Sequence, residues 1–419
     1  MFEQNCQSYI FDNKKFVLDD SGELKEILVD YSGSGRVNPH SNNKRMTNYL
    51  SDVYEYISDH TVSGTFLDFK CDKHDMLKKR NKLSFCSNYL EFAHLKDNSK
   101  HISYIESCHK SLCPTCNFFR SRNNLSDFVS ILSEFFMSEY KDYPFLFLTL
   151  TVPSCYGEDL SNTLDFMSSS WERFIKSSAF SSAFFATSRS LEITVNRDPD
   201  SKSYKMFHPH YHVILVARPD YFSRQKNYYL DQLHLLWLWQ RANKNHNFRS
   251  FDKWLSWYSS FFSDFGTLSA RLLPSAPEGL ITQLDIRRIK TAVSPDCAVK
   301  NIMGSLNECL KYPFKPDDLL TGDIVEDSEI VFFMDKAMFH RRRWNITGIF
   351  KEIAISLDQS TEEPEELVSV RGLDPDEIDF FSAWWFSGKF GEYLRGKKKT
   401  VQEKNKARRF LGLPEIHED

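Results

Sequence analysis

The stretch Phe145-Leu-Phe-Leu-Thr-Leu-Thr-Val152, closed by Pro153, restricts the fold more than any other part of the chain. A continuous β-forming run without charge suits a strand covered on both faces, expected at the centre of a sheet. Directly after it, Leu160, Leu164, Met167, Trp171 and Phe174 recur at helical spacing, giving an amphipathic helix whose apolar stripe can lie on that sheet. The run is the longest apolar segment and is far shorter than the ~20 residues needed to span a bilayer. The start, Met1-Phe-Glu-Gln-Asn-Cys-Gln7, lacks the basic and apolar regions of a signal peptide, so a cytoplasmic location without membrane partners is expected. With 419 residues, 41% of them hydrophobic, the chain can bury a large core and should divide into two or three domains. Its formal net charge of −4 provides no bulk positive field, so any nucleic-acid surface must come from local clusters.

A second strand carries chemistry. Residues 207–216 read Phe-His-Pro-His-Tyr-His-Val-Ile-Leu-Val, and in an extended segment His208, His210 and His212 share one face with Ile214 and Val216. Pro209 cannot donate to a ladder, so pairing should begin near His210. Arg189 to Val195 reads as the preceding strand, joined by a polar turn, and the hairpin can bring Glu192 opposite His210 and His212 as an anionic third ligand. Two histidines and one carboxylate leave coordination positions open, as in a catalytic metal site. Mixed nitrogen and oxygen ligation suits Mn²⁺ or Mg²⁺ acting on phosphate oxygens as well as Zn²⁺. His208 is either an extra ligand or a substrate contact.

Cys86, Cys108, Cys113 and Cys116 form the other constellation, with the tight Cys-Pro-Thr-Cys at its end. Four thiolates close a tetrahedral shell, so Zn²⁺ here would be structural, with His101 and His109 as substitute ligands. Cys6, Cys71, Cys155, Cys297 and Cys309 read as ordinary thiols. Further along, Leu284 to Ile289 reads as a strand, and Cys297 to Tyr312 as a helix stopped by Pro313. On that helix Glu308 and Tyr312 stand one turn apart on the same face. Tyr228 to Trp239 and Phe251 to Phe262 read as tryptophan-rich helices serving as core and lid.

Taken in order, Cys-x4-Cys-x2-Cys, Phe-Leu-Thr-Leu-Thr-Val, Leu-Glu-Ile-Thr-Val, His-Pro-His-Tyr-His-Val, Asp-Ile-Arg-Arg-Ile and Glu-Cys-Leu-Lys-Tyr resemble the plasmid rolling-circle replication initiators, the Rep proteins of the HUH endonuclease superfamily. The resemblance spans roughly residues 83 to 320. It implies an α+β fold, an HUH endonuclease-like central antiparallel sheet flanked by helices (126–320). A region of unknown role (1–82) and a small four-cysteine zinc-binding module (83–125) would precede it. A basic part of the catalytic region (321–357) would follow. Outside the resemblance, the acidic run Asp358 to Asp379 reads as an exposed linker to a basic helical tail (358–419), and the aromatic patch Phe380 to Phe386 implies that a small helical unit packs after it. The resemblance also implies that His210, His212 and Glu192 hold a divalent metal against the scissile phosphate of single-stranded or extruded origin DNA. Tyr312 would be the nucleophile and Glu308 the base that activates water at termination. The free 3′-OH would prime a host DNA polymerase, with a host helicase as partner. Candidate DNA contacts are Arg287, Arg288, Lys311, Arg341, Arg342 and Arg343, with Trp344 available for stacking. Lys78 to Lys82 and Arg395 to Arg409 are further basic runs. The rival readings are a non-catalytic zinc-containing DNA-binding protein and a single-tyrosine transposase or relaxase.

Overall fold

A computed structural model describes residues 8–11, 14–19, 21–29, 39–223, 228–267, 270–290, 295–310, 316–359, 367–368 and 374–416. The chain forms two compact units interleaved in sequence, residues 1–122, 319–332 and 364–419 in the first and 123–318 and 333–363 in the second. Both are mixed α+β. No helix among the described residues is long and apolar enough to cross a membrane.

The first unit is built on a seven-stranded antiparallel sheet. Its strand order is Ser8–Phe11, Lys14–Leu18, Leu24–Ile27, Glu392–Gly396, Ile378–Ser387, Tyr89–Leu95 and Lys100–Ile105. Segments assigned from sequence to the separate regions 1–82, 83–125 and 358–419 thus share one sheet. The aromatic run Phe380 to Phe386 is a strand rather than part of a helical unit. Its large side chains serve both faces of the sheet, which hides the alternation that marks a strand. The expected helix comes afterwards, at Val401–Leu411, opened by a Thr400/Glu403 capping box and closed by Gly412 in the left-handed region. Helix Pro39–Asp59 buries Leu50, Val53, Tyr54 and Ile57, a stripe at helical period, and packs on helix Lys73–Phe85.

The second unit holds a five-stranded antiparallel sheet in the order Leu284–Ile289, Phe145–Thr151, Phe207–Ala217, Phe184–Val195 and Trp344–Gly348. The apolar strand Phe145–Thr151 is interior but not central. The histidine strand takes the middle because its second half, Val213 to Ala217, is as fully buried as its neighbour. The stripe of helix Gly157–Ile175 (Leu160, Leu164, Met167, Trp171, Phe174) is buried as its period requires, and Trp171 meets Tyr211 edge to face at 6.0 Å. Opposite, Phe145, Phe147, Ile214 and Val216 share a core with Phe128 and Phe135, with Ile302, Leu306 and Cys309 of helix Pro295–Leu310, and with Phe350. Gly348 ends the edge strand at φ 64°, where a Cβ would fall 1.9 Å from the Phe185 carbonyl oxygen, so only glycine turns the chain there into helix Ile349–Ser356.

Candidate functional site

The hairpin register sets His210 directly opposite Glu192 and His212 opposite Ser190. Glu192 Oε2 lies 3.1 Å from His210 Nε2 and 2.8 Å from His212 Nε2. The three donors belong to one group within 4.8 Å. His210 Nδ1 donates to the His208 carbonyl at 3.2 Å, which turns its Nε2 toward the carboxylate. Two imidazole nitrogens and a carboxylate oxygen converging at this spacing can share one cation. Two donors each about 2.1 Å from one ion at right angles stand about 3 Å apart, which the distances match. Thr149 Oγ1 lies 3.3 Å from His212 Nδ1 and so orients that ring. His208 stands apart from the group: its Nδ1 faces Ser154 Oγ at 3.2 Å, and burial, with His210 alongside, lowers its pKa and keeps the ring neutral.

The group sits where the packed part of the sheet face ends. On that same face lie Thr149, Thr151, Asp285 and Arg287, placed there by the register of the two strands flanking Phe145–Thr151. Arg287 stands 4.6 Å over the Phe147 ring, whereas Arg288 points to the other face, over Phe222. Tyr211 also points away, beneath the Arg189 guanidinium, and burial raises its pKa, so it does not compete as a nucleophile facing this group. Cys309, read from sequence as an ordinary thiol, joins the helix to the site: its Sγ lies 3.4 Å from the His212 carbonyl and 3.5 Å from Ser190 Oγ. Glu308 is in the last turn of that helix. Lys311 and Tyr312 lie outside the described residues. Nothing but the two-residue period of Thr149 and Thr151 inside an apolar run could have announced the polar face from sequence.

The cysteines converge in the first unit. Cys86 Sγ is 3.7 Å from the sulfurs of Cys113 and Cys116, and Cys108 Sγ is 3.7 Å from that of Cys116. All four are buried, and neither His101 nor His109 belongs to the group. Burial pushes the Cys86 and Cys108 thiols well up, so four thiolates would persist here only around a cation. A tetrahedral shell with bonds of about 2.3 Å has an edge of about 3.8 Å, close to the spacing present. Lys44, itself buried, donates to the Ser84 and Cys86 carbonyls and places one positive charge beside the sulfurs.

The basic clusters divide. Arg341 pairs with Asp165 at 2.7 Å and donates to Ser161, a structural engagement. Arg343 is fixed by its carbonyl, which accepts from Leu191 N. Arg342, between them, lies in the turn before the edge strand. Trp344 is half-buried and donates to Ser188 Oγ. In the first unit Arg80 pairs with Glu55, Lys82 donates to the Leu411 carbonyl, and Lys404 is buried against Glu91.

A family model for "Replication protein" matches residues 99–250, which include Cys108, Cys113, Cys116, Glu192, His210 and His212. "Protein rep" of Streptococcus pneumoniae serotype 2 is 27% identical over 297 residues, 71% of this chain and 77% of that protein. "Protein rep" of Bacillus amyloliquefaciens is 26% identical over 363 residues, 84% and 91% respectively. The chain is thus similar to replication proteins over most of its length. A Staphylococcus aureus "Protein rep" is 30% identical over 156 residues, 37% of this chain and 65% of that one. No solved structure matches. Both donor groups of this chain could hold a metal ion.

Proposed function

We propose that this chain initiates rolling-circle replication as a metal-dependent DNA nickase and strand transferase of the HUH type. The reading is carried by the convergence of Glu192, His210 and His212 on a sheet face to which Cys309 clamps the helix bearing Glu308. Tyr312 follows Cys309 by three residues, a tether of at most about 11 Å. Bound Mn²⁺ or Mg²⁺ would polarise the scissile phosphate of single-stranded or extruded origin DNA. The Tyr312 oxygen forms a bond to phosphorus as the 3′-oxygen leaves. The phenol proton passes overall to that oxygen, giving a 5′-phosphotyrosine and a free 3′-OH. That 3′-OH primes a host polymerase while a host helicase opens the duplex. At termination Glu308 takes a proton from water, which hydrolyses rather than transfers the strand. Arg287, on the metal face, meets a phosphate, whereas Arg288 does not. Lys311 adds a second cation beside Tyr312. In the other unit Zn²⁺ in the Cys86–Cys108–Cys113–Cys116 shell contributes folding energy alone.

The test is incubation with Mn²⁺ and single-stranded plasmid-origin DNA, followed by mass spectrometry of the DNA-linked peptide. A denaturation-resistant adduct on Tyr312, lost in Tyr312→Phe with DNA binding intact, is the expected result. An adduct that persists in Tyr312→Phe rejects that residue as the nucleophile, and no adduct with any origin sequence rejects the nickase. In Glu308→Ala nicking persists and termination fails, which separates this reading from a transposase or relaxase.

A further inference from the structure

We propose that the Phe381/Trp385 face of the seven-stranded sheet binds single-stranded DNA by base stacking, a contact that does not involve the Glu192–His210–His212 group. Phe381, Ala383 and Trp385 point to one face of strand Ile378–Ser387, opposite Ala93, Glu91 and Tyr89 of the neighbouring strand. Phe381 and Trp385 are 41% and 39% exposed, while Trp384, on the other face, is 4% exposed. Two large aromatic rings are left part-exposed at the two ends of a face whose centre, Ala383, Glu91 and Tyr89, is buried.

The Trp385 ring is held in place before any partner arrives. Its Nε1 donates to the Lys397 carbonyl at 2.9 Å, and Tyr89 packs against it with centroids 4.8 Å apart. A Cβ on Gly396 would fall 2.5 Å from Trp385 Cδ1, so the glycine is what lets the indole lie against the neighbouring strand. A ring fixed this way loses little conformational freedom when a base stacks on it. Ala383, between the two rings, is buried in a core cluster with Tyr89 and Tyr104. Four residues of strand separate the rings by about 13 Å, so they would take bases that are not adjacent in the strand.

The charge around the rings is positive. Lys397 and Lys398 are exposed, with Lys398 Nζ 4.3 Å from the Phe381 ring. Lys399 Nζ lies 4.7 Å from the Trp385 ring. Three of the carboxylates nearby are occupied: Glu91 is buried against Lys404, Glu106 pairs with Lys399, and Glu403 caps the Thr400 helix start, whereas Asp376, Glu377 and Asp379 are exposed at the start of the strand. Phosphates of a strand whose bases sit on Phe381 and Trp385 would meet Lys397 and Lys398. A duplex hides its base faces in its own stack, so the complement of this surface is an unpaired strand.

The probe is a 20-residue oligothymidylate carrying 5-bromodeoxyuridine, photo-cross-linked to the full chain in its Tyr312→Phe form, so that the outcome does not depend on nicking. The cross-link is expected on the peptide containing Phe381 and Trp385. In Phe381→Leu/Trp385→Leu that cross-link falls at least tenfold, while affinity for an abasic oligonucleotide of equal length changes less than twofold. Lys397→Gln/Lys398→Gln, confined to exposed side chains, lowers the salt dependence of binding, with log K against log salt shallower by about 1.4. Cross-links mapping only elsewhere overturn the proposal, as does equal loss of the abasic oligonucleotide. So does loss of binding to phosphatidylserine vesicles by the leucine variant with oligothymidylate binding unchanged, since the face would then be a membrane contact.

Discussion

The two donor groups differ in what surrounds them. Four sulfurs in the first unit are buried on every side and compensated by a buried lysine. In the second unit a carboxylate and two imidazoles stand at the margin of a packed face, with polar and basic side chains continuing beyond them. A closed shell can only hold structure together, whereas a shell with a free side can meet a phosphate. Glu192 and His212 are themselves buried, so the ligand types and the polar side chains beyond the part-exposed His210, more than burial, separate the two roles.

That contrast can be broken in order of effect. Cys113→Ala should remove the metal and unfold the first unit, an apparent loss on the order of several kcal/mol, read by metal content and by thermal melting. Retention of a full equivalent of zinc and an unchanged melt would dissolve the distinction. His212→Ala should do the reverse: nicking should fall by about 10³ or more with the melting temperature nearly unchanged, since the imidazole supports chemistry more than packing. Cys309→Ala should sit between, destabilising by about 1–3 kcal/mol and slowing nicking without lowering metal occupancy, because the thiol fixes the helix rather than the ion. Thr149→Val should weaken metal affinity about tenfold through the His212 ring alone, measured by calorimetric titration with Mn²⁺.

A pH effect sharpens the comparison by defining the acid background of the second unit. Buried His246 accepts at Nδ1 from Phe248 N and offers Nε2 to the Trp237 carbonyl, and burial lowers its pKa to about 4. Between about 6.5 and about 4 the unfolded chain binds the proton that the folded ring refuses, so stability falls as pH drops through that window. His246→Gln should flatten that part of the melting-versus-pH curve, and an unaltered slope would assign it to other groups.

The site was largely legible because its signals are local. Alternating histidines fix a face, a hairpin fixes the partner strand, and the Cys-x2-Cys knuckle with two upstream thiols fixes a shell. What escaped depends on distant pairing. Neighbouring strands Tyr89–Leu95 and Ile378–Ser387 come from opposite ends of the chain, and aromatic residues on both faces of the second erase its period. Two adjacent apolar strands competed for the sheet centre with nothing in either to decide between them. A lone Cys309 and the split of the basic runs into buried and exposed lysines are visible only once tertiary contacts exist. Trp344, read as available for stacking, is half-buried with its Nε1 donating to Ser188 Oγ, a contact no local signal announces.

The seven-stranded sheet also sets an order of assembly. Strand Ile378–Ser387 lies between strands from both ends, so the ribosome exposes Tyr89–Leu95 long before the chain that will cover its edge has been made. The second unit, complete by residue 363, needs no such wait. A chain stopped before Ile378 should therefore keep a folded histidine sheet while its first unit remains open-edged and prone to aggregate, which limited proteolysis of the two products would reveal. Late closure of that sheet makes the whole protein's maturation contingent on finishing its synthesis.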